Sequence, residues 1–202
     1  MMPRVGAAIL AAGTASRMGR QKLLLPLGDQ PVLGHVFTTV RQIPFAETVA
    51  VIGEPRQELT ALGSQYGIRT VYNSERLSGQ ASSIATAITH LPGDLDGILF
   101  LPGDQPLISV DLLQALLMRF SQGADNQQIV VPSYKMQYRS PVLFGSAWLP
   151  ELLLLTGDRG GRAIISSNPQ AAAVVEWQEE APFWDTDTWE DYLRLVQYLH
   201  KK

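Results

Sequence analysis

The sequence of 202 residues lacks cysteine and has only three histidines. The absence of cysteine excludes disulfides, thiolate metal sites, iron–sulfur clusters and cysteine nucleophiles. His35, His90 and His200 have no ligand-like spacing and are interpreted as surface or helix residues. Any metal ion would therefore bind through carboxylate oxygens, unless the scattered histidines meet in the fold.

Two further absences exclude whole classes of partner. The 16 Lys and Arg residues form no long run and the formal net charge is −3, so no nucleic-acid partner is expected. No stretch approaches the roughly 20 apolar residues that span a bilayer. The apolar segment near the N-terminus is short and leads into a glycine loop instead of a cleavage site. These features predict a soluble cytoplasmic protein with no membrane partner.

The sequence does contain a regular alternation of short apolar runs and helical patterns. With 46% hydrophobic residues, the chain can bury one sizeable core, and a single domain spanning residues 1–202 is predicted. Strands are predicted at 5–12, 48–52, 69–72, 98–101 and 129–131, and helices at 32–42, 56–66, 79–91 and 109–120. Uninterrupted apolar runs are typical of parallel strands covered on both faces, so the fold class is an open α/β sheet.

The alternation is less regular after residue 132. A loop or hairpin is predicted at 133–144 with a strand at 142–144, then a loop that opens a helix after residue 157, a strand at 172–177 and a final helix. Thr188 and Asp191 fit the capping pattern of that last helix. Apolar stripes are predicted for two helices, namely Val110, Leu113, Leu117 and Phe120 in one and Trp189, Tyr192, Val196 and Leu199 in the other.

A glycine-rich basic loop follows the first predicted strand. Gly13 and Gly19 flank a segment that contains Arg17, and Lys22 comes three residues after the second glycine. Glycines let a backbone approach a ligand and expose N–H groups, so the loop can form an anion site. The loop matches neither the Walker A pattern nor the dinucleotide fingerprint G-x-G-x-x-G. The alternative is an ordinary turn whose cations, Arg20 among them, are solvated.

The segment LAAGTASRMGRQKLL, residues 10–24, resembles the signature L-A-A-G-x-S-x-R-M-G-x-x-K-L-L of nucleotidyltransferases, with the serine displaced by one position. The resemblance is greatest to the molybdenum cofactor cytidylyltransferases and their guanylyltransferase relatives. It implies a Rossmann-like, three-layer α/β/α fold of the nucleotide-diphospho-sugar transferase type with a mostly parallel sheet. The nucleotide-binding residues that it implies here are Leu10, Ala11, Ala12, Gly13, Thr14, Arg17 and Lys22.

Two acidic motifs extend the resemblance. Asp104 lies in a Gly-Asp-x-Pro motif just after a predicted strand, where ligands bind in open α/β sheets. Residues 185–191 match the family segment D-x-D-T-P-x-D, with Trp189 in place of the proline. The resemblance implies that Asp104 and Asp187 bind Mg²⁺ or Mn²⁺ and that Asp191 is a helix cap. Asp185 fits metal binding and capping equally, and capping is the alternative for the whole segment.

Further motifs point to the base and to the acceptor. Asn73, Gly79, Ser82 and Ser83 resemble the family stretch N-x-x-x-x-x-G-x-x-x-S, which lies over the nucleotide base. Residues 139–144 correspond to a family segment G-x-P-x-L-F that lines the acceptor side. The segment from residue 157 resembles G-D-x-G-x-R-x-L. The acceptor-binding candidates are Arg139, which replaces the family glycine, together with Pro141, Arg159 and Arg162.

The function that the resemblance implies is nucleotidyl transfer. An acceptor phosphate attacks the α-phosphorus of a nucleoside triphosphate and pyrophosphate leaves, with Arg17, Lys22 and Asp104 as catalytic residues. Ala12 replaces the glycine of the guanylyltransferase branch, which favours CTP, and the implied acceptor is the molybdenum-pterin cofactor. A molybdenum hydroxylase or its assembly factor is then the expected partner. The alternatives are guanylyl or other NMP transfer to a different phosphorylated acceptor, and a non-catalytic carrier or chaperone of the molybdenum cofactor.

Overall fold

The computed structural model describes residues 2–13, 18–123 and 126–201. Its strands are β1 (Val5–Ala11), β2 (Pro26–Leu27), β3 (Gln30–Pro31), β4 (Glu47–Ile52), β5 (Arg69–Tyr72), β6 (Gly97–Pro102), β7 (Ile129–Tyr134), β8 (Gln137–Tyr138), β9 (Val142–Gly145) and β10 (Ala172–Glu176). Its helices are α1 (Val32–Val40), α2 (Arg56–Gln65), α3 (Gln80–His90), α4 (Val110–Ser121), α5 (Leu149–Leu153), α6 (Arg162–Ser167) and α7 (Trp189–Leu199). The strands and helices predicted up to residue 131 are all present.

The main sheet has eight strands in the order β10-β7-β9-β6-β1-β4-β5, with β8 paired to β7. Strand β1 lies in its middle and runs parallel to β4 and β6. Only β9 reverses direction within this path, because it is antiparallel to both β6 and β7. The sheet is therefore mostly parallel, as predicted, and the loops after β1, β4 and β6 meet at one edge.

Helices cover both faces of this sheet. Successive side chains of a strand point to opposite faces, and Ala7 and Ile9 of β1 pack in one core cluster with α1, α2 and α4. Ala8 packs on the other face with residues of α3, α5 and α6. This arrangement confirms the predicted three-layer α/β/α fold and explains why β1 is apolar at every position.

A third and smaller cluster lies outside the two main layers. It consists of Met18, Leu25, Leu27 and Val32, covered by Leu195 of α7. Helix α7 therefore packs on the β2–β3 hairpin that follows the glycine-rich loop. Thr188 and Asp191 form the predicted capping box at its start.

The predicted apolar stripes of two helices pack against the core clusters, except at Trp189, but other residues of these helices are buried more deeply. In α4 the fully buried residues are Leu112, Leu113, Leu116 and Phe120, whereas Val110 and Leu117 are only partly buried. In α7 only Leu195 is buried, and Trp189 is 44% exposed. Trp189 stacks edge-on against Tyr192 with ring centroids 5.7 Å apart, at the solvent end of the third cluster. No helix of the described residues is long and apolar enough to cross a membrane.

The segment at 133–144 forms a tight hairpin. Strand β7 continues to Tyr134 and pairs with β8 through a turn at Lys135 and Met136. Both turn residues have positive φ, 49° and 62°, as a two-residue turn with the twist of its flanking strands requires. The hairpin returns the chain to the sheet, and the Arg139 N–H donates to the Pro132 carbonyl at 2.8 Å.

Candidate functional site

Two adjoining pockets open at the carboxyl edge of the parallel strands. The first has a volume of about 310 Å³ and is polar, and we call it the nucleotide pocket. Its lining includes Ala12, Gly13, Arg76, Gly79, Ser83 and Asp104. Ligands of open α/β sheets bind at this edge because the loops after neighbouring strands converge there.

An ion-pair network between one lysine and two aspartates lies beside this pocket. Lys22 Nζ donates to Asp104 Oδ2 at 2.5 Å and to Asp187 Oδ1 at 2.6 Å. The side chains of Lys22 and Asp104 are 14% and 22% exposed, so water screens this pair only in part. Residues separated by 82 and 165 positions along the chain thus meet at a single ammonium group.

The charges of this network favour an ionised lysine and an additional cation. Burial lowers the pKa of Lys22, but Asp104 and Asp187 together outweigh it, so the pKa is raised and the ammonium stays charged. Burial also raises the pKa of the nearby Asp185 carboxyl, and the repulsion from Asp187 and Asp104 adds to this effect. Among the described residues, Asp104, Asp187 and Asp191 are the acids that act on Asp185 and Lys22 is the cation, so acidic groups outnumber basic ones here.

The donor set fits a hard divalent cation. In the described part of the chain, no group of three or more His, Asp or Glu side chains is arranged to hold a metal ion. Asp104 and Asp187 nevertheless bring two carboxylate oxygens to within hydrogen-bond distance of one point, the position of Lys22 Nζ. Mg²⁺ needs only one or two protein carboxylates, because water and phosphate oxygens complete its shell.

Buried hydrogen bonds position the two acidic segments. Thr186 is fully buried, and its hydroxyl donates to the Asp104 carbonyl at 3.2 Å, which ties the segment before α7 to the loop after β6. Gly103 N–H donates to the Leu10 carbonyl at 2.9 Å. A Cβ on Gly103 would lie 3.1 Å from both the Leu10 carbonyl oxygen and the Ala11 methyl, so this motif position favours glycine. Sequence reasoning missed Thr186, because nothing in its local pattern separates it from a capping residue.

The glycine-rich loop is described only at its two ends. Gly13 lines the nucleotide pocket, and Gly19 has a φ of +66° that favours glycine. Leu10 lines the pocket as well, whereas the Ala11 side chain packs in the core below it. The predicted phosphate-binding residues Thr14 and Arg17 lie outside the described residues.

The predicted base-binding residues divide into two groups. Asn73 is 2% exposed, and its amide donates to the hydroxyls of Ser82 at 2.9 Å and Ser83 at 3.0 Å while its oxygen accepts from Glu75 N–H. Asn73 therefore positions the first turn of α3 and does not line the pocket. Ser83 and Gly79 do line it.

The second pocket, which we call the acceptor pocket, has a volume of about 330 Å³. Phe100 and Phe144 contribute an apolar surface, with ring centroids 6.1 Å apart. Arg139 and Arg162 also line it, as does Asp158, which the nucleotide pocket shares. Sequence reasoning missed Asp158 although it lies inside a matched motif.

The other two acceptor candidates lie elsewhere. Pro141 is buried beside the pocket, and Arg159 is exposed and does not line it. The Arg139 guanidinium donates to Gln137 at 2.9 Å, and its buried Nε has no partner among the residues that the structure describes. Arg139 therefore has one unused hydrogen-bond donor beside this pocket. Arg159, by contrast, lies outside the pocket.

Residues 157–161 form the partition between the two pockets. Ala81 N–H donates to the Gly157 carbonyl at 3.1 Å, which fixes the partition against the start of α3. Gly79 has a φ of +97°, and a Cβ there would lie 2.3 Å from the carbonyl carbon of Gly157. Only glycine permits this close approach. The glycine that matches the family motif at position 79 is therefore required on steric grounds.

The structure thus combines an α/β/α sheet with a carboxylate–lysine site and two joined pockets at its carboxyl edge. This combination defines the class of the protein as a nucleotidyltransferase with the fold of the nucleotide-diphospho-sugar transferases. Residues 7–174 match the family model of the MobA-like NTP transferase domain, and the chain belongs to that family.

The chain is also similar to individual proteins in sequence and in structure. The chain is 28% identical over 194 residues to the purine catabolism protein PucB of Bacillus subtilis strain 168, with 91% of both chains covered. It is similar to the crystal structure of the Rv0371c homologue from Mycobacterium sp. strain JC1, with 29% identity, 98% of both chains covered and a TM-score of 0.86. A manganese complex of Rv0371c from Mycobacterium tuberculosis H37Rv is 26% identical over 96% of this chain and 98% of that one, with a TM-score of 0.82.

Proposed function

We propose that this protein transfers CMP from CTP to the phosphate of the molybdenum-pterin cofactor and releases pyrophosphate. The observation that carries the proposal is the convergence of Lys22, Asp104 and Asp187 beside a pocket that adjoins a second one. In this proposal the triphosphate binds at the ion-pair network and the acceptor binds in the pocket beyond it.

Asp104 and Asp187 are proposed to hold Mg²⁺ or Mn²⁺. The manganese complex of Rv0371c supports the use of a divalent cation by this family. When bound, the cation neutralises charge on the reacting phosphates. Lys22 would then exchange its carboxylate partners for phosphate oxygens, whose negative charge would keep the ammonium group cationic as pyrophosphate gains charge.

The acceptor phosphate serves as its own nucleophile in this proposal. The second pKa of a phosphate monoester is about 6, so the group is largely dianionic near neutral pH. No general base is then needed, in keeping with the absence of histidine from the described residues that line the nucleotide pocket. Arg17 and Thr14, which follow Gly13 in the matched signature, are proposed to bind the triphosphate together with Lys22.

The acceptor pocket supports a flat, partly apolar acceptor that carries an anion. Phe100 and Phe144 offer an apolar surface for a fused ring system, and Arg139 and Arg162 offer cations for its phosphate. The name of the relative PucB refers to purine catabolism. Xanthine dehydrogenase oxidises a purine, so a molybdenum hydroxylase of this kind, or its assembly factor, is the partner that we propose.

CTP is proposed as the donor because of Ala12. Its side chain is 4% exposed, and its carbonyl oxygen lies against Gly53, where an added Cβ would be only 2.8 Å away. The backbone on this side of the pocket is therefore closely packed, and a methyl at position 12 reduces the room for a purine. One methyl group gives only modest discrimination, of about 10- to 200-fold. GTP or another nucleotide with a different phosphorylated acceptor is thus the second candidate.

The experiment that tests the proposal is pyrophosphate release with Mg²⁺ or Mn²⁺, each of the four nucleoside triphosphates, and the molybdenum-pterin cofactor. Release with CTP that requires the acceptor is the expected result, and a reaction without acceptor is the matched control. Release with GTP alone would support nucleotidyl transfer but refute the assignment of CTP as the donor. Nucleotide binding without release would instead favour a carrier or chaperone of the cofactor.

A further inference from the structure

We infer that Arg76 recognises the base of the bound nucleotide and selects cytosine over uracil. The inference rests on the proposed function in one respect, because it requires a nucleotide in the nucleotide pocket. Arg76 belongs to none of the matched motif positions. It is the arginine of the turn Arg76–Ser78, which connects β5 to the start of α3.

The side chain of Arg76 lies across the end of the neighbouring strand. Its Cδ is 2.9 Å from the position that a Cβ on Gly53 would take, so its aliphatic part packs on that glycine. From there the side chain lines the nucleotide pocket together with Ala12, Gly13 and Gly79. Arg76 is half-buried in this position. The absence of a side chain at Gly53 thus gives Arg76 its path into the pocket.

The guanidinium of Arg76 retains its donors. Among residues 2–13, 18–123 and 126–201, no hydrogen bond or ion pair engages it. The nearby acid is Glu54, but its Oε1 accepts from the Tyr72 hydroxyl at 2.8 Å and its Oε2 from Arg56 N–H at 2.9 Å. An arginine that lines a pocket with unused donors is suited to a ligand with several acceptors.

The position of Arg76 along the sheet edge favours the base over the phosphates. Gly53 follows β4 and Asp104 follows β6, and β1 lies between these strands. Two strand spacings separate the two points, which amounts to about 10 Å. This distance is comparable to the span of one nucleotide from its α-phosphate to its base. With the triphosphate at Lys22 and Asp104, the base therefore extends towards Arg76.

The chemistry of a guanidinium then distinguishes the two pyrimidines. It presents only N–H donors, in a planar fork. Cytosine offers O2 and N3 as adjacent acceptors, which match that fork, whereas uracil carries a proton on N3. With uracil, the N3–H group and the guanidinium N–H group that faces it would both be donors, so one of the two hydrogen bonds would be lost. Guanine also offers an acceptor pair, O6 and N7, so Arg76 alone does not exclude purines.

The test is calorimetric titration of CTP, UTP and inorganic tripolyphosphate into the unmodified protein, Arg76→Ala and Arg76→Lys, without acceptor. We expect Arg76→Ala to weaken CTP binding by about 10- to 100-fold, the usual range for a hydrogen bond to a charged group. Binding of UTP should weaken less than that of CTP, because uracil can form only one of the two hydrogen bonds, and binding of tripolyphosphate should be unchanged. Arg76→Lys keeps the charge but not the fork, so it should also lose the preference for CTP.

Arg56→Ala is the matched control. Arg56 is exposed, lies 4.8 Å from the Tyr72 ring centroid and does not line the nucleotide pocket. Its removal lowers the positive charge of this region equally and should leave all three affinities unchanged. Thermal melts of each variant check that the fold is retained.

Three results would overturn the inference. Equal weakening of CTP, UTP and tripolyphosphate in Arg76→Ala would make Arg76 a phosphate-binding residue. Unchanged CTP binding in Arg76→Ala would show that Arg76 does not contact the nucleotide. Failure of the unmodified protein to bind any of the three ligands would instead refute the proposed function, which separates the two hypotheses.

Discussion

The nucleotide pocket and the acceptor pocket share a boundary but differ in how the chain builds them. The first lies at the ends of β1, β4 and β6, in the middle of a parallel sheet. The second lies between β9, the β7–β8 hairpin and the partition at residues 157–161. The position of the first pocket follows from the fold, because parallel strands bring their ends together. The position of the second pocket depends on the loops that connect strands and helices, and these loops can vary without loss of the sheet.

The two pockets also differ in chemistry. Charged groups that lie within hydrogen-bond distance of one another concentrate beside the nucleotide pocket, where Lys22 meets two carboxylates. The acceptor pocket combines aromatic surface with the cations of Arg139 and Arg162. We propose from this difference that the first pocket binds the nucleotide and carries out the reaction, and that the second selects the acceptor. If so, variants in the two pockets should alter different kinetic quantities.

Among the variants that test whether the two pockets have different roles, Asp104→Ala is expected to have the largest effect. Loss of one of two carboxylates should remove most metal binding and reduce pyrophosphate release by about 100- to 1000-fold, as for the removal of other electrostatic groups at reaction centres. Mn²⁺ affinity measured by electron paramagnetic resonance checks the cause. Asp94→Ala, which removes an exposed acid paired with Arg4, is the matched control. Unchanged Mn²⁺ affinity in Asp104→Ala would refute the metal assignment.

A smaller effect is expected from Lys22→Met. Without the ammonium, CTP should bind about 10- to 100-fold more weakly, because a charge-assisted hydrogen bond to phosphate is lost. In the absence of nucleotide, the same variant should bind Mn²⁺ at least as tightly as the unmodified protein, since Lys22 no longer occupies the space between Asp104 and Asp187. Titration of each ligand separately measures the two effects. Parallel loss of both affinities would show that Lys22 holds the carboxylates in place.

The same contrast explains what the sequence could and could not predict. The strands before Gly13 and Asp104 are apolar at nearly every position because helices cover both sheet faces, and that pattern made the sheet and its functional edge predictable. The resemblance added Asp187, whose meeting with Asp104 depends on the packing of α7 against the β2–β3 hairpin. No local spacing encodes that long-range contact.

Other parts of the site depend on three-dimensional contacts that no motif shows. Asn73 matched a base-binding motif, yet its amide is satisfied by Ser82 and Ser83, so the motif position has a positioning role in the structure. Arg76 matched no motif position and lies in the pocket, because Gly53, just after β4, leaves space for it. In α4 the predicted stripe packs against the core, but periodicity alone did not show that Leu112 and Leu116 are buried more deeply than Val110 and Leu117.

The smallest effect, and the one that addresses the acceptor pocket alone, is expected from Arg162→Ala. Arg162 is exposed but lines that pocket, so solvent screens its charge and its loss should raise the KM for the acceptor by about fivefold, in the range of exposed ion pairs. Affinity for CTP should not change, because Arg162 does not line the nucleotide pocket. Arg159→Ala, three residues earlier in the same motif and outside the pocket, should have a smaller effect on the same KM. Initial rates at varied acceptor and saturating CTP measure both variants. A larger effect at Arg159, or a change in CTP affinity at Arg162, would show that the partition moves when substrate binds and that the two pockets do not act independently.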